Sequence, residues 1–299
     1  MLNPDKSDQS TQKKRSDSRP SAFRKPAWLK VRYTINDDFR EMRDIVRQNH
    51  LHTVCEEAHC PNQGECWRHR TATIMILGQV CTRNCRFCAV QSEKPQPPDT
   101  AEPERVARAV SLIGLKYAVI TSVTRDDLPD YGAEQWAMTI RAIRRRNPHC
   151  KIEILIPDFK GDQTALKTVL AEKPDVLGHN LETVRRLYPL ARPQADYSQS
   201  LAVLEHAKAL GAVTKTGIMV GLGETDSEIY DLMKDARRVQ CDTFTAGQYL
   251  QPTKDYLPVK RFVTPDEFQA IENTGRHLGY RAVLAGPLVR SSYHAEQLL

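Results

Sequence analysis

Between residues 71 and 251 the sequence switches repeatedly between short apolar runs and stretches of helical periodicity. That alternation restricts the fold more than any other feature. Strand-like runs fall at 73–77, 117–123, 151–156, 176–179, 215–220 and 244–250. Between them, Ile229, Leu232, Met233 and Ala236 stand at i, i+3, i+4 and i+7, one face of an amphipathic helix. Leu201, Leu204 and Ala207, and Val106, Val110 and Ile113, mark similar faces. Strands alternating with helices build βαβ units and a parallel sheet. Six units are two short of a closed eight-stranded barrel, so the pattern alone leaves an incomplete barrel and an open doubly wound sheet as alternatives. A short helix is expected near 37–48 and another near 265–278, while 55–70 reads as a loop.

Charge is unevenly placed. The net +6 of the 299-residue chain resides in residues 1–32, which hold nine Lys/Arg against three Asp, so the remainder is neutral. This Ser-, Gln- and Pro-rich stretch reads as a flexible basic arm. It serves solubility or steering toward an acidic partner, not nucleic-acid binding. Asp5, Asp8 and Asp17 count against a mitochondrial transit peptide. No apolar run is long enough to span a bilayer and no signal peptide opens the chain, so a cytoplasmic location without a membrane partner is expected.

Six of the eight cysteines crowd into residues 55–88, and in a reducing compartment such clustering points to metal. Cys81-Thr82-Arg83-Asn84-Cys85-Arg86-Phe87-Cys88 is a C-x3-C-x2-C loop directly after the first strand. Three thiolates can hold three irons of a [4Fe–4S] cubane and leave the fourth open to an outside ligand. Zinc favours four closed ligands in paired C-x2-C units and fits this spacing poorly. The loop resembles that of the radical S-adenosylmethionine (SAM) superfamily, whose open iron binds the amino and carboxylate groups of SAM.

A second triplet, Cys55, Cys60 and Cys66, has C-x4-C-x5-C spacing, with His59 read as an exposed loop residue. Near the end of the chain stands Arg290-Ser291-Ser292-Tyr293-His294-Ala295. The two triplets and this last motif together are similar to the lipoyl synthase family. The resemblance implies insertion of two sulfur atoms, at C6 and C8 of a protein-bound octanoyl-lysine, giving lipoyl-lysine. An auxiliary [4Fe–4S] cluster on Cys55, Cys60, Cys66 and Ser292 would be the sulfur donor, and Arg290 would also contact a cofactor. It implies an incomplete (β/α)6 TIM-like barrel over 71–252. An N-terminal extension, 33–70, carries the auxiliary cysteines, and a C-terminal extension, 253–299, closes on the auxiliary cluster.

Further segments carry the resemblance. Gly217 to Thr225, with Gly221, Gly223 and Glu224, is a strand running into a glycine turn, similar to the superfamily's SAM-binding strand. Asn180 and Glu153 are expected SAM contacts. Arg125-Asp126-Asp127-Leu128 precedes Asp130-Tyr131-Gly132-Ala133, in which Tyr131 replaces a family glycine; if that glycine needs positive φ, the local turn must differ. Implied partners are octanoylated lipoyl carrier domains of 2-oxoacid dehydrogenase E2 subunits and glycine-cleavage H protein, and a reducing donor such as ferredoxin or flavodoxin. The competing readings are another radical SAM sulfur-inserting enzyme, a non-catalytic iron–sulfur electron carrier and a regulatory zinc protein.

Overall fold

A computed structural model describes residues 24–31 and 35–298. Most of the basic arm therefore lies outside the described residues. Helix α1, Asp37–Gln48, starts where the Asn36 side chain accepts the Phe39 N–H at 3.0 Å, and it buries Phe39, Met42 and Val46 along one stripe. Strand β1, His52–Thr53, leads into two short helices, α2 (Val54–Glu57) and α3 (Gln63–Arg68). These replace the loop expected at 55–70. Thr53 caps α2 by accepting the Glu56 N–H, a local signal too short to read through the Pro61 and Gly64 around it.

The βα alternation then runs through β2 (Thr73–Ile76), the small ribbon β3 (Val80–Cys81) and β4 (Gln91–Ser92), α4 (Glu102–Ile113), β5 (Tyr117–Ser122) and α5 (Ala133–Arg146). It continues with β6 (Lys151–Leu155), α6 (Gln163–Ala171), β7 (Val176–Gly178), α7 (Tyr188–Ala191), α8 (Tyr197–Ala209), β8 (Thr214–Val220) and α9 (Asp226–Arg238). Last come β9 (Thr243–Gln248), α10 (Pro265–His277) and β10 (Ala282–Gly286).

The main sheet has the order β1-β2-β5-β6-β7-β8-β9-β10. All neighbours are parallel except β1, which runs against β2. Parallel strands with covering helices give the partial barrel that the spacing allowed. Beyond the six expected strands there is a seventh parallel one, β10, whose Ala282–Gly286 segment carries too little β-branched character to stand out.

The pleat sorts the side chains. Ile74, Ile76, Ala118, Ile120, Ile152 and Ile154 turn toward α4, α5 and α6 in one core. Ile218, Val220, Phe244 and Ala246 meet α9 and α10 in another. Their alternates, including Tyr117, Glu153, Lys215, Gly217 and Thr245, face the interior of the curved sheet. A third, smaller core joins Phe39, Met42, Cys55 and Trp67, with the Phe39 and Trp67 rings 4.9 Å apart.

Candidate active site

The loop after β2 crosses the carboxyl rim of the sheet, where parallel α/β folds place their chemistry. It is stitched down at several points. The Thr82 N–H and hydroxyl both donate to Thr124 O at 3.0 Å, and the Asp126 N–H donates to the Thr82 hydroxyl. The Arg86 N–H donates to Ala191 O, and the Leu257 N–H to Arg86 O. Backbone N–H groups of Arg83 and Thr124 point at the Cys81 sulfur, 3.4 and 3.3 Å away. Burial pushes the Cys88 thiol up to about 12 and raises that of Cys85; nearby Cys81 adds to both, while the Arg192 guanidinium opposes the rise at Cys85. The same burial raises Cys150 and Cys241, so it is the placement of three thiols on one rim loop that sets Cys81, Cys85 and Cys88 apart.

Beside this loop, the strand-end segment His179–Glu182 presents polar atoms without protein partners. The His179 Nδ1 sits 2.9 Å from Ile156 O, and burial lowers the ring's pKa to about 4. The neutral ring therefore donates from Nδ1, which leaves Nε2 a buried acceptor with no partner. Asn180 donates to Glu182 Oε1 at 3.1 Å, but its own Oδ1 is buried and unpaired. Gly217 borders Asn180: a Cβ there would meet Thr245 Oγ1 at 2.5 Å and Asn180 Oδ1 at 3.0 Å. Orphaned buried acceptors beside a glycine strand fit a polar ligand such as SAM.

The second triplet lies at the other end of β2. The Cys55 sulfur takes the backbone N–H of Thr73, the first residue of that strand, and burial, with Cys60 adjacent, pushes its thiol up to about 11 against the lowering by that N–H and by Trp67. Burial, with Cys55 and Cys60 adjacent, pushes Cys66 up to about 12. His59 is exposed, with φ 48°, as read from sequence. The C-terminal segment closes over this triplet. Asn62 Nδ2 donates to Leu288 O at 2.7 Å, the Tyr293 hydroxyl donates to Glu65 Oε1 at 3.0 Å, and the half-buried Arg290 side chain lies beside Cys60. The turn carrying Ser292 is closed by the Tyr293 N–H on Arg290 O at 2.9 Å. Among the described residues no three His, Cys, Asp or Glu side chains gather tightly enough for a single metal ion. A cubane spreads its sulfur ligands over three irons and asks for a wider frame than zinc does.

Other expected contacts are placed differently. Both Glu224 oxygens are taken by backbone N–H groups of Gly221 and Leu222, at 2.5 and 2.9 Å, so this side chain caps its own turn. Gly221, at φ 99°, packs against Gln248 and Arg261, while Gly223, at φ 113°, faces Lys260. Glu153 does not reach the carboxyl rim. It lies toward the amino ends of the strands, with one oxygen 2.7 Å from Lys215 Nζ and the other accepting the Tyr117 hydroxyl at 2.6 Å. Tyr131 itself adopts φ 55°, so the turn keeps the left-handed geometry of a glycine, with a side chain in its place.

The Radical SAM superfamily profile matches residues 75–236, and that of the N-terminal domain of lipoyl synthase matches residues 1–60. A lipoyl synthase of Rubrobacter xylanophilus is 56% identical over 275 residues, 91% of this chain and 86% of its own. This chain belongs to the lipoyl synthase family. A second family member, from Halorhodospira halophila, is 54% identical over 96% of this chain and 87% of its own. Among solved structures, Streptococcus suis SuiB bound to S-adenosylmethionine superposes with a TM-score of 0.57 at 12% identity, over 75% of this chain and 54% of SuiB, a likeness of fold alone. Membership in this radical SAM family brings a [4Fe–4S] cluster, SAM and a protein-bound octanoyl substrate. No described helix is long and apolar enough to cross a membrane. His179 and Arg192 carry no local sequence signal: Arg192 comes beside Cys85 only because the chain leaving α7 folds onto the cysteine loop.

Proposed function

We propose that lipoyl synthase chemistry here is divided between the two ends of β2. Cys81, Cys85 and Cys88 hold the SAM-binding cluster at the carboxyl rim. Cys55, Cys60, Cys66 and Ser292 hold the auxiliary cluster at the amino end. When bound, these groups would supply two 5′-deoxyadenosyl radicals, each from one SAM and one electron of the reducing donor, one for the hydrogen at C6 and one for that at C8, and the two sulfur atoms that take their places.

The chain's own residues do the rest. His179 Nε2 and Asn180 Oδ1 accept hydrogen bonds from SAM, and Gly217 leaves room for it. Arg192 balances negative charge beside Cys85. Arg290 does the same beside Cys60, while Asn62 and Tyr293 hold the C-terminal turn on the auxiliary triplet. Ser292 would offer the auxiliary cluster a hard oxygen where Cys55, Cys60 and Cys66 offer soft sulfurs, making it the worst-matched ligand of the four.

The octanoyl-lysine arm enters from a lipoyl carrier domain of a 2-oxoacid dehydrogenase E2 subunit or of the glycine-cleavage H protein, with ferredoxin or flavodoxin as electron donor. The cytoplasm suits its free cysteines.

The observation that carries this reading is the pair of separate thiol triplets at opposite ends of one strand. It is tested by iron and sulfide content after anaerobic reconstitution. Two cubanes require about eight irons, falling to about four in Cys55→Ala/Cys60→Ala/Cys66→Ala. An octanoylated carrier and SAM then yield lipoyl product only with the wild type. A wild type with four irons, or with zinc, removes the sulfur source. Full product from Ser292→Cys sinks the role given to the serine.

A further inference from the structure

A closed set of charge-assisted hydrogen bonds fixes the middle of the 81–88 loop. The Arg83 side chain is 4% exposed. Its Nε and Nη2 donate to Asp126 at 2.7 and 2.9 Å, and its Nη1 and Nη2 donate to Asp158 at 2.8 and 2.6 Å. Each carboxylate is thus held in two-point fashion, the arrangement a planar guanidinium makes and an ammonium cannot. Asp126 follows β5 and Asp158, fully buried, follows β6. One side chain of the cysteine loop is thereby bolted to the ends of two neighbouring strands. Lys160 Nζ lies 3.5 Å from Asp126, and the Lys160 N–H donates to Asp158 at 3.0 Å, so the carboxylates are themselves oriented.

We propose that Arg83 is a positioning residue: it holds the cysteine loop in its iron-binding shape before iron arrives and keeps two backbone N–H groups on the Cys81 sulfur. This rests on Cys81, Cys85 and Cys88 being the ligands of the SAM-binding cluster. The Arg83 backbone, fixed by its own side chain, directs one of those N–H groups, and Thr124, two residues before Asp126, supplies the other. Hydrogen bonds to a cluster sulfur favour the reduced, more negative state and so raise the reduction potential. Outer contacts of this kind typically set metal affinity by about 10- to 100-fold.

Arg83→Gln alone strands the fully buried Asp158 carboxylate and is destabilised for that reason. The informative variants are Arg83→Lys, which keeps the charge without the fork, and the neutral Arg83→Gln/Asp126→Asn/Asp158→Asn. Full-length chains are reconstituted anaerobically, checked for wild-type circular dichroism, and challenged with an iron chelator. The expected result is biphasic. About four irons per chain leave about tenfold or more faster than in wild type, and the other four or so leave at the wild-type rate. An EPR-monitored titration places the midpoint of the SAM-responsive cluster at a more negative potential. Folded variants with wild-type iron loss and midpoint overturn the proposal, as does equal loosening of both halves of the iron. Cys81→Ala/Cys85→Ala/Cys88→Ala runs alongside. If it keeps all its iron, the ligand reading falls and the Arg83 role with it; if it loses about half while Arg83→Lys behaves as wild type, the Arg83 role alone falls.

Discussion

Replacing Lys215 with methionine tests how the interior of the curved sheet is held together. Lys215 and Glu153 are 2% and 3% exposed, and their charged atoms are 2.7 Å apart. At an effective dielectric of about 20 their attraction is about 6 kcal/mol, most of which offsets the cost of removing both ions from water. The pair as a whole therefore contributes little, whereas removing one partner leaves a buried carboxylate supported only by the Tyr117 hydroxyl. Lys215→Met should cost about 3–5 kcal/mol, a fall in melting temperature on the order of 8 °C for a chain of this size. Adding Glu153→Gln removes the stranded charge and keeps an acceptor for Tyr117, so the double variant should recover most of the loss. The assay is thermal and urea unfolding of the four proteins in a double-mutant cycle, under anaerobic conditions after reconstitution. Single substitutions costing less than about 1 kcal/mol, or a double variant no better than the sum of the singles, would refute the reasoning.

Three further outcomes are expected. Because burial lowers the His179 pKa to about 4 from an unfolded value of 6.5, the unfolded chain binds a proton that the native one does not between those pH values. Stability therefore falls as pH drops from about 6.5 toward 4, by at most about 1.4 kcal/mol per pH unit from this group, and urea titrations should show that slope flattened in His179→Gln. Tyr131→Gly should unfold about 1 kcal/mol later than Tyr131→Ala, since only glycine relieves the φ of 55°; equal stabilities would discard the backbone explanation. Gly247→Ala drives a methyl group into the Val289 carbonyl and should displace the turn bearing Arg290 and Ser292. Iron content should then drop toward that of the Cys55→Ala/Cys60→Ala/Cys66→Ala variant, and unchanged iron would separate β9 from the auxiliary site.

What could be read from the chain follows the range of the forces involved. The helices at 37–48 and 265–278 announce themselves through local caps and apolar periodicity, and six strands through compact β-branched runs. β10 has Val283 alone of that kind and is defined by its partner β9. The two cysteine triplets stand out because their spacing is local, and the cluster roles proposed for them rest on that spacing. Glu153 was misplaced because a strand's sequence does not say how far along the barrel each residue sits; only the Lys215 pairing, 62 residues away, places it. Arg83 stood in plain view within its loop, but its partners Asp126 and Asp158 lie 43 and 75 residues downstream. Glu224 looked like a ligand contact in the glycine turn and proved to be that turn's own cap.

Strand β2 is paired on both sides, against β1 and against β5, and each register is fixed residue by residue. It also separates Thr73, beside one thiol triplet, from Cys81, which opens the other. A spacer gripped from both edges works as a ruler. Four residues of β2 and the short turn after it separate the two marks, so they lie no more than about 29 Å apart. One residue added to the strand would send each of its buried side chains to the opposite face of the sheet. The two thiol triplets are therefore tied to the sheet itself, one at each end of a strand that its neighbours hold in place.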